Sequence, residues 1–248
     1  MFYFEEIKGK KILKSNLIKN AFAFFTTRES FLLTKEENQA QEILENREII
    51  SNYLNIKKNN LITPEQTHST NIAIAETNKY YPNTDGLILT KKDIAIYLNF
   101  ADCTPIIFYD EKQNIGAISH AGWRGTSGKI AALTVQKLVE NFDSNTENIK
   151  VLIGPAICKN CYNVGEDVFE KLSKTINSNQ EFYIKKDKEI LVDLKEINKQ
   201  QLIEQGILPK NIDVCPYCTC CNNNIFYSYR KENATPYRHN AILKLKND

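Results

Sequence analysis

The chain divides into short apolar runs of strand length and longer stretches whose apolar residues recur at helical spacing. IAIYLNF (94–100), PIIFYD (105–110) and IGAISH (115–120) are β-rich runs, the last two joined by the turn EKQN. Leu61–Ile62, Ile72–Ala75, Gly86–Leu89, KVLIG (150–154), IDVC (212–215) and IFYSYR (225–230) read as further short strands, and FYIKKDKEILVDL (182–194) as a hairpin. Helical spacing takes over at 37–55, with apolar Ile43, Leu44, Ile50 and Leu54, and again at 165–176. A third helix runs from about Gly128 to Phe142, with Ala132, Val135, Leu138 and Val139 expected inward. Asp193 stands where an N-cap belongs, with Glu196 at the third helical position as in a capping box, for a helix reaching Gly206. Strands and helices mix without strict βαβ alternation. The expected fold is α/β in the α+β sense, mixed β-sheets flanked by helices. No repeat, low-complexity tract or Pro/Gly/Ser linker interrupts the pattern, so residues 1–248 are expected to form a single domain.

Composition adds mainly exclusions. A net charge of +2 gives no field pointing to nucleic acid or a membrane surface. The N-terminus MFYFEEIKGKKILKSNLIKN is charged throughout and lacks a signal-peptide core, and no run approaches membrane-span length, so a cytoplasmic protein is expected. Seven cysteines, an odd number, then read as thiols or ligands rather than a disulfide frame.

The chemistry concentrates in ADCTPIIFYDEKQNIGAISHAGWRGTSGK (101–129), which holds one of three histidines and the only tryptophan. His120 ends one strand, Cys103 begins another after Asp102, and His68 sits in PEQTHST. Strand ends converge at a rim, where binding sites are commonly built. Two imidazoles and one thiolate make a three-ligand zinc set that leaves a fourth position open, the mark of a catalytic site. Such an ion acidifies bound water and polarises a substrate oxygen. Each residue also has a plainer reading: a hydrogen-bonded core histidine, a buried thiol, an aspartate capping a turn. Spacing alone does not decide between them. GWRGTSGK, leading into a helix with Arg124 in it, suggests an anion-binding loop or a tight glycine turn. It is not a P-loop, because Gly122 and Gly128 are one residue too far apart and Ile130 stands where Ser/Thr would touch magnesium.

With these residues in hand, the chain resembles the multicopper polyphenol oxidase, or laccase-domain, family. The matching pieces are FFTTR (24–28), ENREII (45–50), EQTHST (65–70), TDGLILT (84–90), ADCTPIIFYD (101–110), GAISHAGWRGT (116–126), IGPAICKNCYNVGEDV (153–168) and FYSYRKENATPYR (226–238). The resemblance implies an α/β domain with zinc held by His68, Cys103 and His120 at one rim. It implies a purine nucleoside phosphorylase that takes adenosine, inosine, guanosine and methylthioadenosine with phosphate, and that also deaminates adenosine. Cys103, His120 and Asp102 would form the catalytic group, with Asp102 an acid/base or an orienting residue. Arg28, Gln66, Arg124 and Arg238 would line the substrate pocket. Two departures stand out: Glu29-Ser30 replaces a Gly-Gly turn after Arg28, and Tyr237 replaces a glycine before Arg238. The family's oxidase name does not suit this chain, since three histidines cannot supply one blue copper and a three-copper cluster.

Cys158-x-x-Cys161 and Cys215-x-x-Cys218 offer four thiolates for a second, structural ion, but the gap between the pairs far exceeds that of a zinc ribbon. Buried thiols near one another are the plainer expectation. Cys161 and Cys220 match family positions, whereas Cys158, Cys215, Cys218 and Cys221 look like additions of this chain. Tyr227, Tyr229 and Arg230 are candidates to close the rim. Two other functions fit parts of the pattern. One is a cytoplasmic hydrolase that edits mis-charged UDP-muramyl–amino-acid precursors, as the editing-factor members of the family imply. The other is a non-catalytic zinc module for protein binding, resting on the paired cysteines.

Overall fold

The computed structural model of the chain describes residues 1–32, 40–177 and 182–246. It is a mixed α/β fold built on two six-stranded sheets. One sheet runs β1 (Phe2–Ile7), β2 (Lys10–Ser15), β3 (Ala21–Thr26), β15 (His239–Leu245), β7 (Ala95–Phe100) and β4 (Leu61–Ile62). The other runs β14 (Ile212–Val214), β10 (Ile149–Ile153), β8 (Thr104–Asp110), β9 (Ile115–Ala121), β6 (Gly86–Leu89) and β5 (Ile72–Ile74). A small third sheet joins β11 (Asn163–Val164), β13 (Glu189–Val192) and β12 (Tyr183–Lys186).

The two large sheets pack face to face. Their facing residues, among them Leu13, Phe25, Leu98 and Leu243 from the first and Leu87, Ile107, Ile118 and Leu152 from the second, form one buried cluster. Period-two alternation sends the other residues outward: Ile106 and Phe108 of β8 meet α3 (Ile130–Phe142) and α5 (Leu194–Glu204). On the far side, Ala95 and Tyr97 of β7 meet Ile50 and Leu54 of α1 (Ala40–Leu54). The order is helix, sheet, sheet, helix. Each buried Leu or Ile contributes about 1.5–3 kcal/mol of transfer free energy, so the inter-sheet cluster is the main source of cohesion.

Most predicted elements recur within a residue or two. Residues 37–39 of the first predicted helix lie outside the described residues. Val139, expected inward, is exposed, as is Leu44, because α1 and α3 each turn a narrow face to their sheet. Asp193 caps α5 by accepting from the Glu196 amide at 3.1 Å, whereas the Glu196 side chain turns to Lys199 and Gln200 instead of closing the box. IFYSYR is not a strand. Phe226 and Tyr227 are buried among aromatic rings while the backbone follows turns, such as Phe226 N to Asn222 O. The sequence pattern also left out β1 to β3 and β15, four of the six strands of the first sheet.

Candidate metal centre

The β8–β9 ladder pairs Thr104 with Ala121 and Pro105 with His120, which brings Cys103 beside Gly122. β6 pairs with β9 on the other side, and the His120 amide donates to Asp85 O at 2.8 Å. The 65–71 loop, which leads into β5, lies over the same sheet end. His68, Cys103 and His120 thereby meet, each offering one ligand atom within 4.8 Å of the others. The imidazole rings lie 4.9 Å apart. His120 is buried against Phe100, Cys103 is half-buried and His68 is exposed, so the cluster opens to solvent on one side.

Asp85, in the TDGLILT stretch, organises this set. Its Oδ1 lies 2.8 Å from His120 Nδ1 and accepts from the His68 amide at 3.1 Å. Its Oδ2 accepts from the Thr67 and Ser69 amides and the Ser69 hydroxyl. The carboxylate holds His120 with its other ring nitrogen free for a metal, and it stabilises His68 in a left-handed conformation (φ 65°). Burial alone would raise the Asp85 carboxyl, but the His120 hydrogen bond and charge, with Ser69, outweigh it and hold the group at about 2. Burial likewise opposes ionisation of Cys103, yet His120 and His68 bring its thiol down to about 6. The Cys103 charge and the Asp85 hydrogen bond overcome burial at His120 and raise it to about 9. The donors fit a cation: a thiolate, an exposed imidazole and a carboxylate-oriented imidazole. The backbone makes room for them, since a Cβ on Gly122 would stand 2.8 Å from Cys103 Sγ and 3.2 Å from His68 Cδ2.

Asp102 adjoins Cys103 in a left-handed conformation (φ 86°). Both its carboxylate oxygens are engaged, Oδ1 by the Thr219 hydroxyl at 2.6 Å and Oδ2 by the Arg230 amide at 2.7 Å. Its carbonyl accepts from the Ile157 amide. Arg238 is largely withdrawn from water, which lowers its pKa, while the charges of Cys103, Tyr229 and Asp102 oppose that fall. Tyr162, which sequence reasoning did not single out, is pushed up to about 12 by burial and then by the Cys103 charge, so it remains a neutral phenol.

The remaining expected residues stand further out. Arg124 lies in a short helix, α2 (Trp123–Ser127), with its guanidinium 4.2 Å from the centre of the Trp123 ring. The glycine segment is thus a helical turn broken at Lys129 (φ 58°), not an extended loop. Gly125 allows its close approach, as a Cβ there would meet His120 O at 2.9 Å. Gln66 is clamped to Asn99, accepting from its amide at 2.7 Å and donating to its carbonyl at 2.9 Å. Arg28 pairs with Glu232 at 2.5 Å and lies over the Tyr227 ring. These two residues line a groove of about 400 Å³ with Phe31 and Tyr237. Tyr237, at the family's glycine position, stacks on Tyr227. Tyr227 is buried and Tyr229 exposed. A second depression of about 920 Å³, lined by Lys57, Lys91 and Lys244 among others, shares no residue with the metal set.

With this geometry in place, comparison with known proteins is informative. The model of the multi-copper polyphenol oxidoreductase laccase family matches residues 28–246. The chain belongs to this family. It is 30% identical over 243 residues to a purine nucleoside phosphorylase of Staphylococcus epidermidis, covering 90% of each chain. It is 29% identical over 206 residues to the adenosine deaminase RL5 of an unknown prokaryotic organism, covering 78% of each. Its fold superposes on the crystal structure of YlmD from Geobacillus stearothermophilus with a TM-score of 0.89, at 25% identity, covering 98% of this chain and 99% of that one. Among the described residues, no helix is long and apolar enough to cross a membrane.

The second expected thiolate set is corrected. The cysteines that meet are Cys158, Cys161, Cys218 and Cys221. Cys215 follows β14 into the core between the sheets, where it is fully buried and its thiol is pushed up to about 12 by that burial.

Proposed function

We propose that the chain, read as one domain over residues 1–248, is a zinc-dependent purine nucleoside phosphorylase with adenosine deaminase activity. Adenosine, inosine, guanosine and methylthioadenosine are its substrate class, with phosphate as co-substrate. The observation that carries this reading is the meeting of two imidazoles and one thiolate within 4.8 Å on a solvent-open rim. Relatives named for each of the two activities support it. When bound, the ion supplies Lewis acidity toward the substrate and acidifies water for attack at C6 of adenine.

The chain's own groups do the rest. His68, Cys103 and His120 hold the ion, and Asp85 fixes the tautomer and orientation of His120. Asp102 acts as a positioning residue, since both its oxygens are occupied by donors that lock the turn before Cys103. Arg124 and Arg238 supply forked cationic donors for phosphate. Gln66 steadies the loop carrying His68 through Asn99, and Arg28 lines the adjoining aromatic groove with Tyr227. A cytoplasmic location fits substrates of this class.

The test is incubation of the purified chain with adenosine, with and without phosphate, alongside His120→Ala, with products read by liquid chromatography. Adenine and ribose 1-phosphate formed only with phosphate, or inosine without it, and a silent variant support the reading. Absence of both products from a zinc-loaded chain overturns it, and hydrolysis of a UDP-muramyl-L-serine substrate then becomes the next assay.

A further inference from the structure

Two Cys-x-x-Cys segments meet on the flank of the rim, outside the histidine set. Cys158 and Cys161 bracket a tight turn (Lys159–Cys161) that follows β10. Cys218 and Cys221 bracket the turn that follows β14, and Ala156 bridges to Cys218 as an isolated parallel pair. All four Sγ atoms lie within 4.8 Å of one another, and Cys161 Sγ is 3.5 Å from Cys221 Sγ. Zinc–sulfur bonds of about 2.3 Å in a tetrahedron put the sulfurs about 3.8 Å apart, so this spacing suits one ion and is too tight for an iron–sulfur cluster. Cys218 Sγ also accepts from two backbone amides, Cys158 N at 3.2 Å and Cys221 N at 3.4 Å. Amides aimed at sulfur stabilise a thiolate and pre-shape the turn around it. None of the four is needed for the histidine set.

We propose that Cys158, Cys161, Cys218 and Cys221 hold a structural Zn²⁺ that clasps the 156–161 segment to the 218–221 turn. Four protein thiolates close the coordination sphere, which makes this a structural centre rather than a second catalytic one. Zinc is favoured over ferrous iron because it stands higher in the affinity order for such a site. The clasp lies next to the rim in sequence and in space. Thr219, beside Cys218, donates to Asp102 Oδ1, and its amide donates to Ala156 O. Tyr162, beside Cys161, lies 5.4 Å under the Arg230 guanidinium, whose own amide holds Asp102 Oδ2. The ion therefore fixes both walls that bracket Asp102.

The test is zinc and iron content by mass spectrometry of the full chain purified under reducing conditions. Three further chains are compared: Cys221→Ser, Cys218→Ser/Cys221→Ser and His68→Ala/His120→Ala. The wild type should carry about two zinc ions per chain and each double variant about one. The exposed Cys221 makes its single replacement the gentlest to the fold, and zinc should leave that variant faster than wild type in a chelator competition. Should the cysteine double variant not fold, the histidine double variant still decides. It should retain about one zinc, and its cobalt form should show the strong charge-transfer absorption of a tetrathiolate. Zinc absent from the histidine double variant, iron in its place, or a Cys161–Cys221 disulfide in freshly isolated protein would overturn the proposal.

Discussion

Asp85 Oδ1 lies 2.8 Å from His120 Nδ1 and 3.1 Å from the His68 amide, so one carboxylate sets a ring at the end of β9 and a loop before β5. Replacing Asp85 with Asn keeps the size and removes the charge. Zinc affinity at the histidine set should fall about 10–100-fold, measured by competition with a chromophoric chelator. An unchanged affinity would mean that Asp85 shapes the loop without tuning the ligand.

The same carboxyl has a pH signature. Its folded pKa of about 2 lies below the ordinary 3.8. A depressed carboxyl contributes stability that is complete above about pH 4 and is lost as pH falls toward 2, because the unfolded chain takes up the proton first. Acid unfolding of the chelator-treated chain should therefore steepen over that window, and Asp85→Asn should be flatter there. Denaturant melts at a series of acid pH values compare the two.

Gly122 tests the room left for the ligands. A Cβ there would stand 2.8 Å from Cys103 Sγ, and the φ of −70° imposes no backbone penalty on alanine. Gly122→Ala should leave the thermal midpoint close to wild type while displacing the thiolate. The phosphorolysis rate should fall about 100-fold, the scale of an ångström-sized misplacement of a reacting group. Steady-state kinetics beside a thermal melt separates the two effects.

Phe25 tests the fold. It is fully buried between the sheets, and Gly154 leaves space for its ring, where a Cβ would run into Phe25 Cε1. Phe25→Ala should cost about 3–5 kcal/mol in denaturant unfolding. Gly154→Ala should cost about 1–3 kcal/mol through overpacking.

Elements with a clear period were legible in the sequence: β7 to β10, α3 and α5 stand close to where alternation and helical spacing put them. The convergence of His68, Cys103 and His120 was also legible, because strand-end His and Cys beside glycines are a poor way to build a core. Asp85 was not, since it lies in an apolar strand context and acts through hydrogen bonds made by residues far away in sequence. The choice of Cys221 over Cys215 was hidden for a related reason. Both belong to plausible Cys-x-x-Cys pairs with Cys218, and only the parallel pairing of β14 with β10 sends Cys215 into the core. IFYSYR misled because aromatic burial without a ladder looks like a strand in one dimension.

The most direct single measurement is phosphate-dependent release of adenine from adenosine, followed before chelation, after it, and after zinc is returned. Release should disappear on chelation and recover with zinc in the wild type, but not in His120→Ala. Release that survives chelation, or that His120→Ala performs as well as wild type, would contradict a zinc site at His68, Cys103 and His120 as the seat of the chemistry.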